Sequence, residues 1–246
     1  MKKLLVLLLV AAMCFSLVAC GGGDTGKEST NDNKLQATSG TAQNGNSVPS
    51  DQKDPAAESE GLEFELNEAG DAYILVGIGS CKDTDIKIPA TYEGLPVTEI
   101  GKNAFKGQAG LTGVTVPDSV TTIGGTAFHN CSSLASIALG KGVVTIKSSA
   151  FASCTSLTEI AIPESVTTIL PGAFARCTGL VSVTISQSVS KISNNVFGNC
   201  TALTSVFCEA ESQPADWDEG WLGTDTTTVY WGGEWEYVNG APAPKA

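Results

Sequence analysis

Residues 111–133 read LTGVTVPDSVTTIGGTAFHNCSS, and the next three stretches repeat the pattern: LASIALGKGVVTIKSSAFASCTS at 134–156, LTEIAIPESVTTILPGAFARCTG at 157–179 and LVSVTISQSVSKISNNVFGNCTA at 180–202. A partial unit, LPVTEIGKNAFKGQAG, precedes them, and LTSVFC follows. Phe105, Phe128, Phe151, Phe174 and Phe197 stand 23 residues apart. So do Ile100, Ile123, Ile146, Ile169 and Ile192, and Leu111, Leu134, Leu157, Leu180 and Leu203. Val120, Val143, Val166 and Val189 keep the same step, as do Cys131, Cys154, Cys177 and Cys200. Chance composition does not align five ladders at one period, whereas a recurring structural unit does.

Within one unit the apolar spacing changes. In Leu157-Thr158-Glu159-Ile160-Ala161-Ile162, Ile160 and Ile162 share a face by the two-residue period of a strand. Thr158, Glu159 and Ala161 fall at or beside the other face. Pro163 ends the strand because it has no N–H for a ladder. Residues 165–169 read as a second short extended stretch with Val166 and Ile169 inward, and 174–177 as a tight or 3₁₀ turn. No unit can bury its apolar edge alone, so the units must stack, with neighbouring strands about 4.8 Å apart. The expected fold is a leucine-rich repeat solenoid. It is a right-handed stack of 23-residue coils with a parallel strand on one face, short extended or 3₁₀ segments on the other and a cap at each end. The five Phe rings should form one buried column.

The unit resembles that of the BspA-like leucine-rich repeat family of bacterial surface proteins, most fully in 111–133 and 157–179. The segments 73–77, 86–89 and 92–101 look like that family's opening, and 208–214 with Trp217 and Trp221 like its ending. Departures are local. Gln108 stands in the Cys slot, Gly140 and Ser186 replace the strand-ending Pro, and Leu170-Pro171 replaces the usual Gly-containing turn. The division expected is a cap over 61–94, repeats over 95–208, an acidic aromatic cap over 209–239 and a frayed tail over 240–246. The resemblance implies attachment to host proteins or to other bacteria.

The chain begins MKKLLVLLLVAAMCFSLVAC. Lys2 and Lys3 precede a 15-residue run, Leu4 to Val18, that is apolar but for Ser16, fits a secretory signal and is short for a membrane span. Leu17-Val18-Ala19-Cys20 followed by Gly21 resembles a bacterial lipobox, which implies removal of 1–19 as a lipoprotein signal peptide and diacylation of Cys20. Two acyl chains hold a protein stably at a membrane. Residues 20–60 are polar, with Leu35 and Val48 as the large apolar side chains, and read as a disordered tether. Its random-coil reach is about 35 Å.

The formal net charge is -12, from 26 acids against 14 bases, which argues against a nucleic-acid partner. Charge is uneven: residues 95–208 hold 4 acids and 6 bases, and residues 209–246 hold 8 acids and 1 base. Polar ends suit the solubility of a solenoid. The other reading, a cation site near Asp216, Asp218, Glu219 and Asp225, lacks an ordered calcium-loop pattern. His129 is the one histidine, and its turn slot holds Lys106, Ala152, Ala175 and Gly198 in the other units. With no G-x-S-x-G motif either, the chain reads as no enzyme, with no cofactor and no metal. The Cys ladder reads as free, buried thiols that behave as small hydrophobes.

Trp217, Trp221, Trp231 and Trp235 all fall in the last thirty residues. They read either as a cap on the open end of the last coil or as an exposed aromatic patch for protein or glycan contact. The outward strand positions Thr112, Thr115, Ser136, Thr158, Glu159, Ser182, Thr184, Thr204 and Phe207 form the candidate binding face. The function expected is a lipid-anchored, surface-exposed, non-enzymatic binding or adhesion module. It would act as a monomer on extracellular or host proteins, or, less in keeping with the residues, on glycans. The alternative is a structural or spacer lipoprotein of the cell envelope.

Overall fold

The structure is a computed structural model describing residues 57–223 and 226–245, which belong to the unit Ser50–Ala246. The signal segment, Cys20 and the tether up to residue 56 lie outside the described residues. At the N-terminal end β1 (Glu63–Leu66) pairs antiparallel with β2 (Tyr73–Gly77). β3 (Asp85–Lys87) follows, and β4 (Thr91–Tyr92) folds back antiparallel on β5 (Leu95–Ile100). Each full repeat then contributes a face strand and a back strand. These are β6 (Gly113–Thr115) with β7 (Thr122–Ile123), β8 (Ser136–Ala138) with β9 (Thr145–Ile146), β10 (Glu159–Ile162) with β11 (Thr168–Ile169), and β12 (Ser182–Ile185) with β13 (Lys191–Ile192). β14 (Ser205–Cys208) and β15 (Thr228–Tyr230) extend the face, and β16 (Trp235–Val238) with β17 (Ala241–Pro244) makes a hairpin.

Register follows the repeat. Glu159 lies opposite Ser182, and Ser182 opposite Ser205, all in parallel strands. On the back, Ile100, Ile123, Ile146, Ile169 and Ile192 are successive partners in one sheet that runs β2-β5-β7-β9-β11-β13. A step of 23 residues therefore places like on like, and every ladder of the sequence becomes a row across the stack.

The five Phe rings are fully buried. Neighbouring rings lie 5.1, 5.1, 5.2 and 5.5 Å apart, with planes within 11° of parallel. Each ring adds about 1.5–3 kcal/mol by burial.

The turn that carries each Phe is a chain of hydrogen-bonded turns. Its backbone is laddered too: Phe128 N–H donates to Ala150 C=O at 2.7 Å and Phe151 N–H to Ala173 C=O at 2.8 Å. Two positions per coil have positive φ. One row is Asn103, Thr126, Ser149, Gly172 and Asn195, and the other is Gly107, Asn130, Ser153, Arg176 and Asn199. Asn and Gly tolerate that region best, which explains their recurrence there.

The ladder thiols do more than fill space. Cys131, Cys154, Cys177 and Cys200 donate to the carbonyls of Phe105, Phe128, Phe151 and Phe174, at 3.0, 3.2, 3.1 and 3.1 Å. Each bond reaches back one coil and ties two turns together. Burial pushes the Cys131 thiol up to about 11 and the Cys208 thiol up to about 12, and it raises Cys154 as well. Cys131 and Cys154 thus stay neutral donors at ordinary pH.

Candidate strand-face binding site

The parallel face strands present two outward rows. Gly113, Ser136, Glu159, Ser182, Ser205 and Thr228 form one, and Thr115, Ala138, Ala161, Thr184, Phe207 and Tyr230 the other. Val114, Ile160, Val183 and Val206 point the opposite way and are buried. Thr112, Thr158 and Thr204 flank the rows at the strand starts and are exposed. Thr112, Thr115, Ser136, Thr158 and Glu159 are all open to solvent, and Ser182 is half-buried.

Two expected face residues are not accessible. Phe207 is 3% exposed and Thr184 9%. Phe207 stacks on Tyr230 at 5.1 Å, and Trp235 packs beside it at 5.5 Å. The cause is the C-terminal hairpin, which folds back over this end of the face. Its anchor is Trp235, whose indole N–H donates to Cys208 C=O at 2.9 Å. The expected frayed tail gives way here, because residues 241–244 are strand β17. Val238 lies opposite Ala241 and Trp235 opposite Pro244. Asn239 and Gly240 form the two-residue loop, with φ of 54° and 84°. Asn-Gly between extended residues is the sequence signal for this turn, and the repeat-based reading passed over it. Pro242 and Pro244 occupy alternate positions, while Lys245 N–H donates to Glu234 C=O at 2.9 Å. The prolines thus sit where no N–H is needed toward β16, and they leave that edge without donors.

The four tryptophans do not make one exposed patch. Trp221 is 4% exposed and meets Phe197 edge-on at 6.0 Å, so it closes the ring column. Trp217 is equally buried, bridges Ile192 in parallel and donates its indole N–H to Val189 C=O at 2.9 Å. Trp231 packs against Trp217 at 5.9 Å and is half-buried. These three cover the last coil. Trp235 belongs to the hairpin instead. A cap needs apolar area over an open core, and indoles supply it while their N–H groups reach carbonyls at the rim.

Between the hairpin tip and the face lies a cleft of about 330 Å³. Ser136, Thr158, Glu159 and Thr184 line one side, and Tyr237, Gly240 and Pro242 the other. Tyr237 is 58% exposed. No basic side chain lines this cleft, whereas on the other side of the coils Glu99 pairs with Lys147 at 3.0 Å. Among the described residues no group of three His, Cys, Asp or Glu side chains stands together as a metal site, and no helix is long and apolar enough to cross a membrane.

The geometry has relatives. The structure of a leucine-rich repeat protein from Treponema pallidum is 34% identical, covers 63% of this chain and 71% of its own, and superposes with a TM-score of 0.59. A leucine-rich cell surface protein from Faecalibacterium prausnitzii is 39% identical over 61% of this chain and 38% of its own, with a TM-score of 0.55. The pneumococcal vaccine antigen PcpA shares the fold at 21% identity and a TM-score of 0.53. No curated protein matches the chain. The sequence pattern of the BspA-type leucine-rich repeat region matches residues 80–213 in six copies, and the chain belongs to that family.

Proposed function

We propose that the protein is a lipid-anchored, non-enzymatic binding module that presents its strand face to extracellular or host proteins. The observation that carries this reading is the division of labour in each coil. The back sheet, the Phe column and the thiol bonds hold the stack, and the outward rows from β6 to β10 stay free of structural duty. A flat run of Thr, Ser and Ala around Glu159 is suited to long, shallow contact. The Faecalibacterium relative is a cell surface protein, in keeping with display outside the cell. Cys20 would carry the lipid on the outer face of a bacterial membrane, and the tether would lift the solenoid away from it as a single chain.

Two experiments test the two halves. Metabolic labelling with palmitate should mark the wild-type chain and not Cys20→Ala. Capture of purified extracellular matrix and bacterial surface proteins by the full chain should be saturable, and Thr115→Lys with Ser136→Lys should abolish it while the thermal midpoint holds. An intact, folded chain that captures none of them would favour a spacer.

A further inference from the structure

The strand face is stitched at each junction but one. Thr112 N–H donates to Thr84 C=O at 2.7 Å, Ala135 N–H to Thr112 C=O at 2.9 Å, Val181 N–H to Thr158 C=O at 2.8 Å and Thr204 N–H to Val181 C=O at 3.0 Å. The equivalent bond, Thr158 N–H to Ala135 C=O, is not made, and no ladder joins β8 to β10. Behind this seam the back strands β9 and β11 stay paired in register. Ile137 is half-buried at the seam, whereas the matching Val114, Ile160 and Val183 are buried. Ala135 and Thr158 are both exposed, so these two backbone groups are hydrated and open to a ligand. Here a donor and an acceptor are left over in the floor of a cleft.

The same cleft is where the hairpin ends. Tyr237 and Pro242 are opposite each other in the hairpin register and line its wall together. With prolines at 242 and 244, the hairpin walls the cleft without supplying a full row of N–H groups to zip the seam. The cleft therefore combines unpaired strand-edge groups, hydroxyl walls, one carboxylate from Glu159, one exposed tyrosine ring and no basic side chain.

We propose that this cleft binds an extended polypeptide segment carrying a basic side chain. The peptide lies over the seam, where its C=O and N–H groups reach the exposed Thr158 N–H and Ala135 C=O, since β8 and β10 stay too close for a strand to enter between them. The Lys or Arg head meets the Glu159 carboxylate, and its charge lies over the Tyr237 ring. A neutral sugar could stack on Tyr237 and bond to the same donor and acceptor, but only a basic side chain balances the Glu159 charge, which no residue lining the cleft does. The inference rests on the strand-face reading above and narrows it to one place and one ligand chemistry.

The test is fluorescence anisotropy with the full chain in detergent at physiological salt. The probes are labelled octapeptides of alternating Thr-Lys, Thr-Glu and Thr-Ser. The Thr-Lys peptide should bind saturably and the Thr-Glu peptide should not. Glu159→Gln should weaken binding about tenfold or more, as loss of a charge-assisted contact does. Tyr237→Ala should weaken it severalfold. Glu164→Gln removes the same charge from an exposed position outside the cleft and should change nothing. Equal loss from Glu159→Gln and Glu164→Gln would show attraction to net charge alone and overturn the proposal. So would the absence of saturable peptide binding, or binding of neutral oligosaccharides in place of peptides. Capture of surface proteins that survives Glu159→Gln but fails with Thr115→Lys would overturn this site and keep the broader reading.

Discussion

The repeats over 95–208 and the C-terminal segment over 209–245 are built on opposite principles. In the repeats each structural role is filled several times over: five rings, five back-sheet isoleucines and four thiols each do one job in neighbouring coils. In the C-terminal segment each role is filled once: Trp221 closes the ring column, Trp217 closes the back sheet and Trp235 pins the hairpin. Redundant roles distribute the energy over the stack. Single roles concentrate it, and they also permit one piece to be altered without disturbing the rest.

That contrast can be broken by mutation. Phe151→Ala, in the middle of the column, should cost about 3–5 kcal/mol in chemical unfolding, because the cavity is walled by rings on both sides. If Phe151→Ala costs no more than a surface change, the column is not the core. Removal of residues 233–246 should cost less, about 1–3 kcal/mol, for the lost burial of Trp235 against Phe207. It should leave the repeat circular-dichroism signal unchanged and increase binding of a hydrophobic dye as Phe207 and Tyr230 become accessible. A global collapse on that deletion would mean the hairpin is part of the core.

The thiols sharpen the contrast through pH. The Cys131 thiol titrates at about 11 in the folded chain against 9.0 for an ordinary thiol, and burial is the main cause. A raised folded value means the unfolded chain loses its protons first. Stability from this source is complete below about pH 9 and falls as the pH climbs toward 11 and beyond. The urea midpoint should therefore drop steeply between pH 9 and pH 11. Gly240→Ala should act on the hairpin alone, at about 1 kcal/mol, since φ there is 84° with open space around it. Limited proteolysis at 239–240 should report it. Smallest of all, Arg176→Gly should raise stability by a few tenths of a kcal/mol by relieving a positive φ of 62° in a turn slot.

Legibility in the sequence followed the same division. The coil stack, the strand face and the inward Phe, Ile, Leu and Val rows were readable because periodic burial leaves a periodic record. The positive-φ rows left a weaker trace, since Asn, Gly, Ser, Thr and Arg share those slots. The thiol-to-carbonyl bonds were hidden, because a small buried hydrophobe and a buried donor occupy a Cys slot equally well. Phe207 and Thr184 were misplaced for a tertiary reason: their strands point outward as expected, and the C-terminal hairpin, far along the chain, folds over that end of the face. Asn239-Gly240 was the local clue to that segment. The seam between β8 and β10 has no counterpart in the sequence, where the two units align through the strand without a gap.

Amide hydrogen exchange, resolved by residue across Thr112, Ala135, Thr158, Val181 and Thr204, tests stack and seam together. These five amides occupy one slot in successive coils, and four of them are bonded to the coil before. Strong protection at Thr112, Ala135, Val181 and Thr204 with fast exchange at Thr158 is the predicted result. Protection at Thr158 equal to its four equivalents, or unrelated rates across all five, would contradict it.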